Sequence, residues 1–123
     1  MKEIKYRVWD EKSQKMHYPD QYKSIEFVSS KSCNIKLPSG ETITNVTPML
    51  CTLFSDKNNT DIYEEDFVQE QDKYGEKTIA IVTYVKGAFC FGSEGGFPVG
   101  IKHKAVAVIG NKYENPDLLK VSE

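Results

Sequence analysis

No two cysteines in this sequence stand at metal-binding or redox spacing, and no long apolar run interrupts its 123 residues. Cys33, Cys51 and Cys90 are odd in number, far apart and set among apolar neighbours, as in Met49-Leu50-Cys51 and Phe89-Cys90-Phe91. Disulfide frameworks favour even counts and structural zinc favours close Cys pairs, so these read as small buried thiols of a reducing compartment. Charge recurs from Lys2 onward, before an apolar stretch of signal-peptide or membrane-span length can develop. The expected location is the cytoplasm.

Histidine is equally scarce. His17 and His103 stand at no ligand spacing with a second His or a Cys, so neither points to a metal. The one glycine-rich stretch, Gly92-Ser93-Glu94-Gly95-Gly96, lies between Phe91 and Phe97-Pro98 with no helix signal after it. Glu94 would repel phosphate, so a loop between strands is the better reading than a phosphate cradle. Glu64-Glu65-Asp66 lacks the alternate ligands and central glycine of a calcium loop and reads as a strand-entry turn. No catalytic residue, metal or cofactor is expected.

A surplus of positive charge is missing too: the net charge is −2 and the pI about 5.7, against a dedicated nucleic-acid binder. The charge is segregated, however. Residues 1–36 hold eight Lys/Arg and five Asp/Glu, whereas residues 55–76 hold two Lys and eight acids. An acidic patch around Asp61, Glu64, Glu65 and Asp66 is therefore a candidate interaction surface, able to meet a basic partner or the basic N-terminal part of a second copy.

What is present suits one core. Hydrophobic residues make up 39% of the chain and aromatics 11%, enough for a single domain over residues 1–123. Glu3 to Trp9 alternates charged and apolar residues as a half-buried strand does, and Met16-His17-Tyr18 returns beside it until Pro19. Ser24 to Val28 is a further strand, and Pro38-Ser39-Gly40 turns a hairpin between Asn34–Leu37 and Glu41–Thr44. Met49–Phe54, Ile62-Tyr63, Phe67–Gln69, Thr78–Val85, Ala88–Phe91 and Lys104–Ile109 are also strand-like, Thr78–Val85 most strongly. Asn115 and Pro116 open a short helical turn at the end, and Asn111 with Asn115 shapes the turn into it. About nine short strands make the fold all-β, and a small, partly closed barrel-like sheet of antiparallel strands would leave the fewest exposed edges.

Three segments occur together in a known order. They are Lys5-Tyr6-Arg7-Val8-Trp9-Asp10 with Lys15-Met16; Ser55 through Val68, including Asp61-Ile62-Tyr63-Glu64-Glu65-Asp66-Phe67; and Val108-Ile109-Gly110-Asn111-Lys112-Tyr113-Glu114-Asn115-Pro116-Asp117-Leu118-Leu119. In these the chain resembles the YopX-like proteins of phages and prophages. The resemblance implies a β-rich, partly barrel-like fold, a phage origin and residence in the host cytoplasm, and it supplies no activity, cofactor or catalytic residue. One position departs from the pattern: the family places Gly where this chain has Glu65, which must either tolerate a turn geometry that suits glycine or adopt another.

The leading expectation is a non-enzymatic phage accessory protein that binds a host or phage protein or its own copies as a homo-oligomer. Single-stranded nucleic-acid binding by a small barrel is the alternative, with Tyr6, Arg7 and Trp9 as its stacking and phosphate surface. An enzyme would require a cleft uniting His103, the glycine loop and the 64–66 acids.

Overall fold

The computed structural model describes residues 4–92 and 97–118. Most of the glycine-rich stretch, and the Leu119-Lys120 end of the expected terminal helix, lie outside the described residues. By its contacts the chain divides into two compact units, residues 1–50 and 51–123, and each has its own cluster of buried side chains.

The first unit holds β1 (Tyr6–Asp10), β2 (Lys15–His17), β3 (Ser24–Ser29), β4 (Ser32–Lys36) and the first part of β5 (Thr42–Ser55). These pair antiparallel in the order β2-β1-β5-β4-β3. Val8, Cys33, Ile35 and Val46 form the buried cluster, with Tyr22, Ile25, Leu37 and Ile43 packed against it. The Pro38-Ser39-Gly40 turn is as expected: the Leu37 N–H donates to Glu41 O, and Gly40, at φ +96°, donates to Leu37 O.

The segments Glu41–Thr44 and Met49–Phe54 are one strand of 14 residues rather than two. Local sequence hides this because β5 is kinked twice, at Asn45 (φ +57°) and Leu53 (φ +68°), each beside a register shift. Pro48 sits inside it without breaking the sheet. The β4 ladder stops at Val46, short of Pro48, while the β1 ladder continues through Val8 opposite Pro48.

In the second unit the end of β5 pairs with β6 (Asp61–Tyr63), Cys51 facing Tyr63. A five-stranded antiparallel sheet follows in the order β10-β9-β8-β7-β11. It comprises β7 (Asp66–Gln71), β8 (Lys77–Val85), β9 (Ala88–Phe91), β10 (Phe97–Pro98) and β11 (Val106–Asn111), and Val68, Val82, Phe91, Val99 and Val106 form its core with Ile62. The fold is thus all-β, but the sheets are open and do not close into the expected barrel. Edge protection is achieved another way. The outer edge of β11 is occupied by the 56–60 loop, whose Asp56 Oδ2 accepts the Val108 N–H at 2.8 Å while the Lys57 N–H donates to Val106 O.

A short helix, α1 (Val99–Lys102), was not legible from composition because it contains Gly100. Tertiary packing explains the glycine: a Cβ there would lie 3.1 Å from Cζ of Phe54. The chain ahead of Leu118, the last described residue and itself helical, is a side-chain turn network. Asn111 Oδ1 accepts the N–H groups of Tyr113 and Glu114, and Asn115 Oδ1 accepts that of Asn111. Both asparagines thus build the turn expected of them.

Candidate functional site

The acidic segment does not present four free carboxylates. Asp66 is 1% exposed and its Oδ2 accepts the Tyr63 N–H at 2.8 Å, closing the turn between β6 and β7. Asp66 therefore belongs to the architecture, and the proposed surface is corrected at this position. Glu65 stands half-buried, paired with Lys112 Nζ at 3.3 Å, and its carbonyl accepts the Lys112 N–H. Asp61 and Glu64 are also half-buried. Sequence reasoning counted charges, and the turn uses several of them as acceptors for its own backbone.

Glu65 has φ +70°, so of the two alternatives it tolerates the left-handed geometry that suits glycine. That geometry costs a non-glycine residue roughly 1–2 kcal/mol. Glycine would remove the strain but lose a partly exposed ion pair worth about 0–1 kcal/mol and add unfolded-state entropy of about 0.4–1 kcal/mol. Glu65→Gly is thus expected to be neutral to stabilising by roughly 0.5 kcal/mol, whereas Glu65→Val, β-branched at positive φ, should lose more than about 1 kcal/mol. Urea midpoints of the two variants test the sign, and a Glu65→Gly protein clearly weaker than wild type would contradict the strain.

Arg7 is 2% and Trp9 4% exposed. Arg7 Nη1 approaches the Tyr18 hydroxyl at 3.5 Å with its guanidinium 5.9 Å from the Tyr18 ring, and Trp9 Nε1 donates to Glu11 Oε2 at 2.7 Å. Side chains so enclosed offer neither a stacking face nor a phosphate contact, which corrects their reading as a surface. Charged–apolar alternation suggests one solvated face, but β1 lies between β2 and β5 and buries Arg7 through Asp10. Tyr6 alone is half-buried, its ring 4.8 Å from that of Phe27 in an edge-to-face contact.

The histidines are not brought to a common site. His17 lies on β2, where its Nε2 is buried without a hydrogen-bond partner. His103 Nδ1 contacts Ser55 O at 2.7 Å, fixing the proton on that nitrogen, and its ring lies 4.7 Å from that of Phe54. Beside it Lys104 Nζ donates to Ser55 Oγ, Asp56 O and Asn59 Oδ1, so these residues clasp the 55–59 loop. Among the described residues, no group of three or more His, Cys, Asp or Glu is arranged to hold a metal, and no helix is long and apolar enough to cross a membrane.

Cys33 and Cys51 are buried and Cys90 is half-buried. Burial pushes the Cys33 thiol up from 9.0 to about 11. Between these values the unfolded chain loses a proton that the folded chain keeps, so stability falls as pH rises from 9 toward 11. At about 1.4 kcal/mol per unit the loss is on the order of 2 kcal/mol. Cys33→Ala should flatten the decline relative to wild type in denaturation series across that range, and parallel curves would refute the assignment. In the folded protein a thiol reagent at pH 8 should label Cys90 well before Cys33 and Cys51.

Sequence reasoning passed over one feature as an ordinary strand: the edge strand β3. Of Ser24–Ser29 all but Ile25 are exposed, Phe27 at 45% and Val28 at 65%. The other sheet ends are guarded: β2 is three residues long and starts with Lys15, β10 is two residues ending in Pro98, and β11 is covered by the 56–60 loop. By contrast β3 has six residues, no proline and a single charge, Glu26, and its one irregularity is a register shift against β4 between Phe27 and Ser29.

An all-β protein of open antiparallel sheets, with one long exposed edge among the described residues, is the class these features define. The chain belongs to the YopX family, whose model, described as YopX protein, matches residues 5–120. Two solved structures are similar in fold. Protein yopX from Bacillus subtilis is 23% identical with a TM-score of 0.66, covering 93% of this chain and 96% of its own. Protein EF1440 from Enterococcus faecalis is 21% identical with a TM-score of 0.63, covering 97% of this chain and 99% of its own. No curated protein matches the chain.

Proposed function

We propose that the protein is a non-enzymatic, phage-encoded accessory protein of the host cytoplasm that binds a partner protein by taking an extended segment along β3. The exposed edge carries this reading. An unpaired strand edge supplies main-chain donors and acceptors for one more strand, and side chains at alternate positions supply selectivity. Phe27 and Val28 would contribute most of the apolar contact. Lys23, Lys31 and Lys36 surround this edge in exposed positions against Glu26 alone, which favours an acidic partner segment. The phage origin and cytoplasmic residence rest on the family resemblance.

Phe27→Lys/Val28→Lys should abolish capture of the partner from infected cells while leaving the circular dichroism of the sheet intact. Tyr74→Lys, at an 83% exposed turn residue, should not affect capture. Undiminished capture by the double variant would refute the edge as the binding surface.

A further inference from the structure

The first unit carries a cleft of about 350 Å³ between the tips of its two hairpins, within the size range of small-molecule sites. The β1–β2 hairpin contributes Lys12 and Lys15 to its lining, and the β4–β5 hairpin contributes Leu37, Glu41 and Ile43. Leu37 and Ile43 also pack on the buried cluster of this unit, so the apolar part of the cleft is anchored to the core. The β1–β2 turn is similarly fixed. Asp10 Oδ1 and Oδ2 accept the Lys12 N–H and the Ser13 hydroxyl, and Gln14 Nε2 donates to Glu11 O.

Lys12, Lys15 and Glu41 are exposed, and among the described residues none of them takes part in an ion pair. Asp10, 7% exposed, adds a second carboxylate to the lining, already engaged with the Lys12 N–H and the Ser13 hydroxyl of the turn. The lining thus offers two unpaired cations from one hairpin, one unpaired anion from the other, and an apolar surface fixed by the core. A phosphate site would have no use for Glu41, and a purely apolar ligand would have no use for the lysines.

We propose that this cleft binds a short zwitterionic peptide of dipeptide size. Its carboxylate meets Lys12 and Lys15, its ammonium group meets Glu41, and an apolar side chain rests on Leu37 and Ile43. The site is separate from the β3 edge and does not depend on the reading given to that edge.

Titration with alanyl-leucine, followed by methyl resonances of Leu37 and Ile43, tests the assignment on the full chain. Saturable shifts are expected by about 10 mM, where a millimolar site fills. N-acetyl and C-amide forms of the dipeptide should bind about tenfold more weakly. Glu41→Gln should remove the discrimination against the acetylated form, and Lys12→Gln/Lys15→Gln that against the amide. Absence of saturable shifts, or equal binding of the blocked dipeptides, overturns the proposal. So does inorganic phosphate that shifts the same residues and is bound as well by Glu41→Gln as by wild type, since that would describe a simple anion site. Binding of alanyl-leucine that survives Phe27→Lys/Val28→Lys separates this cleft from the β3 edge.

Discussion

Asp56→Ala is expected to lower the unfolding free energy by about 3–5 kcal/mol, in the range typical of removing one member of a buried charged network. Asp56 is 1% exposed, and its carboxylate accepts three backbone N–H groups at 2.8 Å: Asn58 and Thr60 on Oδ1 and Val108 on Oδ2. The first two shape the 56–60 loop, and the third fastens that loop along the edge of β11. Alanine leaves three part-buried donors without their acceptor, each worth roughly 1–3 kcal/mol if unsatisfied. Asn is the sharper probe. It can keep an oxygen toward Asn58 and Thr60, but then its amide N–H₂ faces the Val108 N–H, donor against donor. Asp56→Asn is therefore expected to lose about 2–3 kcal/mol, and amide exchange should accelerate first at Val108. Against a total of roughly 5–15 kcal/mol for a domain of this kind, either change is large. Urea denaturation gives the answer, and an Asp56→Asn protein within about 0.5 kcal/mol of wild type would show that the loop holds the edge without the carboxylate.

Asp56 also marks how far the sequence could be read. Its loop was legible, because Asp56-Lys57-Asn58-Asn59-Thr60-Asp61 is dense in side chains that bond local backbone, and the Asp56 bonds to Asn58 and Thr60 realise that local chemistry. Its bond to Val108, 52 positions away, was not legible, since nothing in either segment names the other. The same division runs through the molecule. Strand-forming segments such as Thr78–Val85 and Ala88–Phe91 stand as β8 and β9 where β-propensity put them. Which strands pair, and whether a sheet closes, depends on long-range contacts, and there the barrel gave way to open sheets guarded by a loop. Charge misled for a related reason. Arg7 and Asp66 look like surface residues by type, yet both are enclosed where tertiary structure gives them partners. The β3 edge drew no notice because exposure of Phe27 and Val28 is a property of strand order rather than of the strand's own residues.

Gly110→Ala should produce the second large loss, about 1–3 kcal/mol, for a steric reason and not a conformational one. Gly110 lies in β11 at a register shift against β7, beneath the turn built by Asn111 and Asn115. A Cβ added there would stand 2.5 Å from Asn115 Oδ1 and 2.8 Å from Leu118 Cδ1. Asn115 cannot simply move aside, because the same oxygen accepts the Asn111 N–H at 3.1 Å and its own N–H donates to Asn111 O. Relieving the clash therefore breaks the bond that anchors the turn, so the methyl group displaces the turn rather than one rotamer. A double-mutant cycle separates this account from a general weakening of β11. Asn115→Ala alone should cost about 1 kcal/mol through the lost acceptor. Combined with Gly110→Ala it should cost clearly less than the sum of the two, because the contact that strains the first variant is absent in the second. Strict additivity would mean that the methyl group is resisted elsewhere, with Leu118 the remaining contact and Leu118→Ala the change that should then restore stability.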